Sequence, residues 1–334
     1  MHRPMGRFRG REDKNIMTYS VTVSSENGSY AVFPKSFEIR SSMDTPADSF
    51  TGIFPFSSSL SLGNTIEVTS VQKERLFFGT VEDLTTVISS DGVFTEVFAR
   101  SPAAALIDNE ALPKTYNCPS FEDIYKNHAL PYGIKSFSGE NLRWQGNFSV
   151  LKGDSHWDVI KRFCLSVTGF EPFISGDLTL YSKHPQNFLP EKKLSVSNSL
   201  PGCTKFSKAE ITESSFGIVG KIICKVQKEG TYAHSILNPY IKNPENYNVR
   251  IVDLTNTPLW ERQNKTDRIF RLSLENTLQI EAELFDPPPI FTGMKASFSS
   301  PAGKQEENLM VFQRVLRLTS KGYYCTVILR KKDV

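Results

Sequence analysis

The sequence predicts a β-rich α+β fold, with two antiparallel β-barrel segments separated by a small α+β segment. Three observations carry this expectation. The 334 residues include 39% hydrophobic and 11% aromatic side chains, with 24 Phe, which suits folded, strand-rich domains rather than a disordered chain. Leu76 to Arg100 contains two β-branched and aromatic runs around Ser89-Ser90-Asp91-Gly92, a turn in which glycine supplies the positive φ. Two helix starts with capping-box spacing, Ser120 to Asp123 and Ser155 to Asp158, fall together in the middle of the chain. A chain of this length holds enough material for two or three cores.

Residues 1–16 read as a solvated basic tail. Arg3, Arg7, Arg9, Arg11 and Lys14 outweigh Glu12 and Asp13 there, and this local excess accounts for the whole formal net charge of +3. The remainder is balanced, so it offers no bulk basic surface to displace counterions from nucleic-acid phosphates. The tail lacks the apolar centre of a secretory signal, and strand-like sequence from Thr18 onward points to translation starting at Met17. No run of 18 apolar residues is present, so no membrane span is expected.

The first barrel is expected over residues 17–113. Thr18 to Arg40 makes two strands around Glu26-Asn27-Gly28-Ser29, and Ser41 to Gly52 is a polar loop broken by Pro46. Leu60, Leu62, Ile66 and Val68 with a Gly63-Asn64 turn lead into the Leu76–Arg100 hairpin. In its second strand, Val93, Thr95, Val97 and Ala99 oppose Phe94, Glu96, Phe98 and Arg100, so both faces carry apolar groups and a sheet covered on both sides is implied. Ser101 stands as an N-cap and Pro102 at the first helical position of a short helix ending near Asp108. Six or seven such strands closed as a barrel would remove their exposed edges.

Residues 114–200 form the α+β segment. Phe121, Ile124, Tyr125 and His128 share one helix face before Pro131 and Gly133. Trp157, Ile160, Phe163, Cys164 and Val167 form a second apolar stripe ending at Gly169, and Glu171 to Lys183 reads as a hairpin. Residues 201–334 return to strands. Ile218 to Val226 is apolar and β-branched, Leu278 to Phe285 alternates, Pro287-Pro288-Pro289 forces an extended turn, and 309–330 forms a last hairpin around Thr319-Ser320-Lys321-Gly322. A polar, Asn/Pro-rich stretch at about 231–267 reads as an insertion into this second barrel. No residue-level repeat between the two barrels is evident.

Candidate chemistry is sparse. Asp44 and Asp48 lie in a Ser/Thr/Pro loop, where carboxylates serve as turn and capping groups. Asp154, His156 and Asp158 look like an active-site triplet, yet side chains at i, i+2 and i+4 cannot share one ion from a helix, and a helix N-terminus stabilises carboxylates anyway. His128 on an apolar face reads as a packed histidine. The five cysteines have neither metal-site nor disulfide-framework spacing, and G-x-S-x-G, H-E-x-x-H and phosphate-binding glycine loops are absent.

A strand ending in G-x-V, a hairpin, and a strand running into R-S-x-x-x-x-L-[ILV]-D, formed here by Gly79, Val81, Arg100, Ser101, Leu106, Ile107 and Asp108, is the first of several motifs that, in order, resemble the late control protein D family, the baseplate hub proteins of contractile phage tails and phage-tail-like bacteriocins. Another is F-D-P-x-x-[IL]-x-x-G, met by Phe285, Asp286, Pro287, Ile290 and Gly293. D-x-P-A-D-x-F at Asp44 to Phe50, and Gly169, Phe170, Gly176, Leu178 and Leu180, add to the likeness, which covers about residues 17–330. All these residues are architectural.

The resemblance implies two tube-type barrels per chain and a homotrimer in which six barrels join the hexameric tail tube to a trimeric spike. Implied partners are the tube or a tube-initiator protein, the spike and baseplate wedge proteins, with DNA only as passing cargo. No cofactor, metal or membrane is implied. The expected location is a virion tail baseplate or bacteriocin particle assembled in the bacterial cytoplasm. Two other classes remain in view: a tail-associated glycan hydrolase, which needs two carboxylates across a cleft, and a glycan-binding module.

Overall fold

The computed structural model describes residues 19–331 except 27, 57–59, 184–192 and 276. The basic stretch 1–16 and the Met17 start lie outside the described residues. Strands make up 48% of the fold and helix 16%.

The N-terminal part contributes β1 (Tyr19–Ser25), β2 (Gly28–Val32), β3 (Ser36–Ser42), β4 (Ser49–Pro55), β5 (Thr65–Ser70), β6 (Arg75–Ser89) and β7 (Gly92–Arg100), followed by helix α1 (Ala104–Asp108). Its alternating apolar residues, among them Val21, Ile39, Phe50, Ile66 and Val97, are almost fully buried, as period-two patterning requires. The middle part holds β8 (Lys114–Asn117), α2 (Phe121–Ile124) with a following π-helical turn (Tyr125–Ala129), β9 (Ser136–Ser138), β10 (Asn147–Val150), α3 (His156–Thr168), β11 (Phe173–Ile174) and β12 (Thr179–Tyr181). Both predicted capping boxes are formed, and Gly169 closes α3 with a left-handed φ of 73°. Phe121, Ile124, Phe148, Ile160 and Phe163 make the separate core of this part.

The last part contains β13 (Lys193–Ser197), β14 (Phe206–Glu213), β15 (Val219–Lys225), β16 (His234–Leu237), β17 (Asn248–Asp253), α4 (Leu259–Glu275), β18 (Leu278–Phe285), β19 (Lys295–Ser299), β20 (Gln305–Thr319) and β21 (Gly322–Lys331). The expected second-barrel strand at Ile218 to Val226 goes elsewhere. It is the centre of a separate sheet ordered β16-β15-β17, packed on α4 through Ile222, Cys224 and Phe270. The insertion is therefore the whole stretch from β14 to β18 rather than 231–267. Its apolar β15 looked like a barrel strand because local pattern does not say which sheet a strand joins.

The two strand-rich parts are joined. One 13-stranded sheet runs β14-β18-β21-β20-β3-β4-β7-β6-β5-β1-β2, with β19 on β20 and β13 on β19. Phe50, Ile66 and Phe77 belong to the same apolar cluster as Leu284, Phe298 and Val327.

The register also contains a duplication that residue identity conceals. Strand β4 pairs with β7 from Ser49↔Arg100 to Pro55↔Phe94, and β18 pairs with β21 from Gln279↔Arg330 to Phe285↔Tyr324, a constant separation of 230 residues (Ser49 to Gln279, Arg100 to Arg330). The same separation relates the two ends of the β5–β6 pairing to those of β19–β20 (Thr65↔Thr80 to Lys295↔Met310, Thr69↔Arg75 to Ser299↔Gln305), with the register shift between them at Val68/Thr69 in one and Ala296/Phe298 in the other; it also relates the bulge at Val81/Asp83 to that at Val311/Gln313, and the turn closure Ser89↔Gly92 to Thr319↔Gly322. Even loop hydrogen bonds repeat: Gly63 N–H donates to Val81 O (3.0 Å) and Gly293 N–H to Val311 O (2.7 Å). Identical residues stand at Gly63/Gly293, Ser70/Ser300, Val81/Val311, Gly92/Gly322, Val97/Val327 and Arg100/Arg330. Strand β14 lies on β18 as β3 lies on β4, here 172 residues apart (Glu38 to Glu210). We call β3–β7 and β14 with β18–β21 the two modules. They differ in their outer strand, because β1 is antiparallel to β5 whereas β13 is parallel to β19.

Candidate functional site: the junction between the strand modules

The modules meet where β3 pairs with the distal half of β20, from Phe37↔Leu318 to Ser42↔Gln313. Arg314 lies at the centre of this junction, only 2% exposed. Its Nε donates to Ser41 Oγ (3.1 Å), one terminal nitrogen to Leu76 O (2.7 Å) and the other to Ile290 O. One guanidinium thus ties β3 and β6 of the first module to the loop before β19 of the second. Asp48, partly buried nearby, has its carboxyl pushed above the usual range by burial, against the opposing pull of Arg314 and a hydrogen bond from Ser41. Sequence reading did not single out Arg314, since an Arg in a strand pattern that also holds Gln313 and Arg317 carries no motif; its alternation with Leu316 and Leu318, which sets a charge on the apolar face, was the available signal.

The motif residues divide between packing and one clasp. Arg100 at the end of β7 reaches Glu82 through Nε (2.5 Å) and Asp108 through both terminal nitrogens, one at 3.1 Å. The bonds from Arg100 hold the Asp108 carboxyl below its usual range. The R-S-x-x-x-x-L-I-D spacing is therefore a clip from strand end to helix end. Ser101 does not cap α1 as expected. Its hydroxyl accepts from the Asp48 N–H (3.1 Å), binding the β3–β4 loop, and Ala103 occupies the N-cap without a side-chain bond. Leu106 is fully buried and Val81 nearly so. At Gly79 a Cβ would lie 2.3 Å from Arg100 O, so only glycine lets β6 and β7 approach so closely. In the second module Phe285 is exposed and packs edge-on to Tyr324, Asp286 takes a φ of 45°, Pro287 is buried, and Gly293 makes the repeated loop bond.

The middle part offers no assembled triplet. Asp154 accepts from the Leu151 N–H (2.7 Å) and pairs with Arg162 (2.7 Å), which keeps it well below the usual carboxylate range. Asp158 completes the Ser155 capping box. His156 turns inward and joins His128 in a buried relay: Tyr132 Oη to His156 Nε2 (2.8 Å), His156 Nδ1 to His128 Nδ1 (3.0 Å), and His128 Nε2 to Tyr116 Oη (2.9 Å). His128 is thus packed, as the sequence suggested, but in a pair that no spacing rule marks. A cleft between Phe170, Phe173, α4 and β20 is lined by Arg268, Arg271, Met310 and Phe312, and its Glu171 is held by Lys161 (3.0 Å) and Arg268 (3.3 Å). Among the described residues no group of three metal-ligating side chains converges, and no helix is long and apolar enough to cross a membrane.

No family model matches the chain, and no curated protein matches its sequence. Solved structures do match. The tail protein from Neisseria meningitidis MC58 superposes with a TM-score of 0.75 at 16% identity, covering 94% of this chain and 97% of that one. The 43 kDa tail protein of prophage MuSo2 from Shewanella oneidensis gives 0.74 at 13%, covering 94% and 98%. A type VI secretion component from E. coli, described as structurally similar to the T4 tail proteins gp27 and gp5, gives 0.56 at 10%, covering 90% and 74%. At these identities the likeness is one of fold. The chain has the fold shared by phage tail proteins and type VI secretion baseplate components.

Proposed function

We propose that the chain is a structural baseplate hub of a contractile phage tail or tail-like particle, of the late control protein D type. Three copies form a ring that joins a hexameric tail tube to a trimeric spike. The observation that carries this reading is the repeat of strand register at a constant 230-residue separation, which supports two modules of like shape in one polypeptide. A homotrimer of such chains has threefold symmetry at the residue level and near-sixfold symmetry at the backbone level, the property needed to match a six-membered tube on one face and a three-membered spike on the other. The insertion β15–α4 occurs in only one module and would mark every second position of the ring. Wedge proteins would contact the outside, and DNA would cross the centre only in transit.

The fold likeness to tail proteins supports the setting, and the motif residues serve as strand and loop clips without touching any reactive group. Native mass spectrometry of the purified chain, alone and with its spike, tests the reading. A mass of three copies is expected, and a monomer at micromolar concentration in both samples would refute it. Peptidoglycan zymography addresses the hydrolase class, and clearing by the purified protein would favour that class instead.

A further inference from the structure

We propose that the outer edge of β14 in one copy pairs with the distal half of β6 in the next copy of this chain, closing the ring by strand addition. The proposal rests on the three-copy reading above and adds the surface, the partner and the register.

The argument is one of equivalence. Within the chain, the distal half of β20 is flanked by β21 on one side and β3 on the other. The distal half of β6, its counterpart 230 residues earlier, is flanked by β7 on one side; among the described residues nothing pairs with the other, because β5 covers only Arg75 to Thr80. Strand β14, the counterpart of β3, pairs with β18 and, among the described residues, ends the sheet. Each copy therefore has one filled junction and the two unpaired halves of a second one. Open edges of this length invite pairing, and neither carries a proline or a bulge in the stretch concerned.

Transferring the β3–β20 register gives the contacts. Leu318↔Phe37 becomes Ile88↔Ala209, Leu316↔Ile39 becomes Thr86↔Ile211, and Arg314↔Ser41 becomes Leu84↔Glu213 on the core-side face. On the other face Val87 meets Glu210 and Thr85 meets Thr212. No like charges stand opposite each other, which antiparallel pairing requires. The pairing would cover Ile88, 79% exposed in the single chain, and Ile211, 37% exposed.

The two junctions are chemically distinct. The filled one is keyed by Arg314 with Ser41 and Asp48, whereas the open one presents Leu84 and a Glu213 already bound to Lys304 (2.5 Å). A β3 strand placed on a neighbour's β6 would lose the Arg314 bonds to Ser41, so the modules alternate rather than pair like with like.

The test is disulfide formation between Thr85→Cys and Thr212→Cys in one chain whose half-exposed or exposed Cys203 and Cys118 are replaced by Ser. Directly opposed cross-strand residues have Cβ atoms about 4.5–5.5 Å apart, near disulfide reach. Oxidation is expected to give a covalent three-chain species in the double variant and none in either single variant. Moving one cysteine from Thr212 to Lys208 shifts it about 13 Å along the strand and is expected to abolish the product. Ile88→Asp is expected to melt like the parent and to run as a monomer. Absence of three-copy species in the parent overturns the hub reading and this pairing together. A three-copy parent with no Thr85–Thr212 product, or an Ile88→Asp variant that remains three-copy, overturns the pairing alone.

Discussion

Replacing Arg314 by Met tests whether one buried guanidinium holds the modules together. The methionine fills most of the aliphatic volume but removes three donors, leaving Ser41 Oγ, Leu76 O and Ile290 O without them. An unsatisfied buried acceptor costs about 1–3 kcal/mol, and removing one member of a buried charged network about 3–5 kcal/mol. Wholesale apolar replacement of an ion pair is often neutral, but two of these acceptors are main-chain carbonyls and remain in place. The expected loss is therefore about 3–5 kcal/mol. The natural control is Arg317→Met, three residues along the same strand. Arg317 is 41% exposed and binds Glu38 (2.7 Å) at the sheet surface, where such pairs contribute at most about 1 kcal/mol. Urea unfolding followed by far-ultraviolet circular dichroism reads the sheet. A loss at Arg314 no larger than that at Arg317 would refute the keyed junction.

Burial lowers the His128 pKa to about 4, with the His156 ring and the Lys114 and Arg162 charges acting in the same direction. The unfolded chain, near 6.5, takes up the proton first, so the middle part is expected to lose stability as pH falls from about 6.5 and to reach its full loss, about 3 kcal/mol, below about 4. Tryptophan fluorescence reads this region, because Trp144 and Trp157 pack against its core, and His128→Gln is expected to flatten the profile. Gly79→Ala is expected to destabilise by about 1–3 kcal/mol because its Cβ meets main chain, while Gly176→Ala, with open space around it, stays within about 0.5 kcal/mol in the same denaturation series. Asp108→Ala is expected to cost under about 1 kcal/mol, with the difference shrinking in high salt, since Asp108 is 46% exposed.

Much of the local structure was legible in the chain. Alternation marked β18, glycine turns marked the β6–β7 and β20–β21 hairpins, and Ser-x-x-Asp spacing marked the starts of α2 and α3, because each depends on residues within a turn or two of one another. Ser101 departs from its local pattern for a related reason. A hydroxyl before a helix has a local use as a cap, but here a main-chain donor 53 residues away competes for it and wins. The duplication was hidden because strands tolerate any residue that suits their two faces, so Phe50 answers to Ile280 and Leu84 to Arg314 while the hairpin register and the bulge at Val81/Asp83 and Val311/Gln313 persist.

The sequence by itself determined the β-rich class and the capped starts of α2 and α3, since periodicity and capping act over short spans. Only the tertiary structure decided that β3 joins β20, that Arg314 bonds Ser41 across 273 residues, and that β15 leaves the main sheet. Strand edges are made of nearly identical main-chain groups. Which edges meet depends on side chains brought together from distant parts of the chain, and no local pattern records that choice.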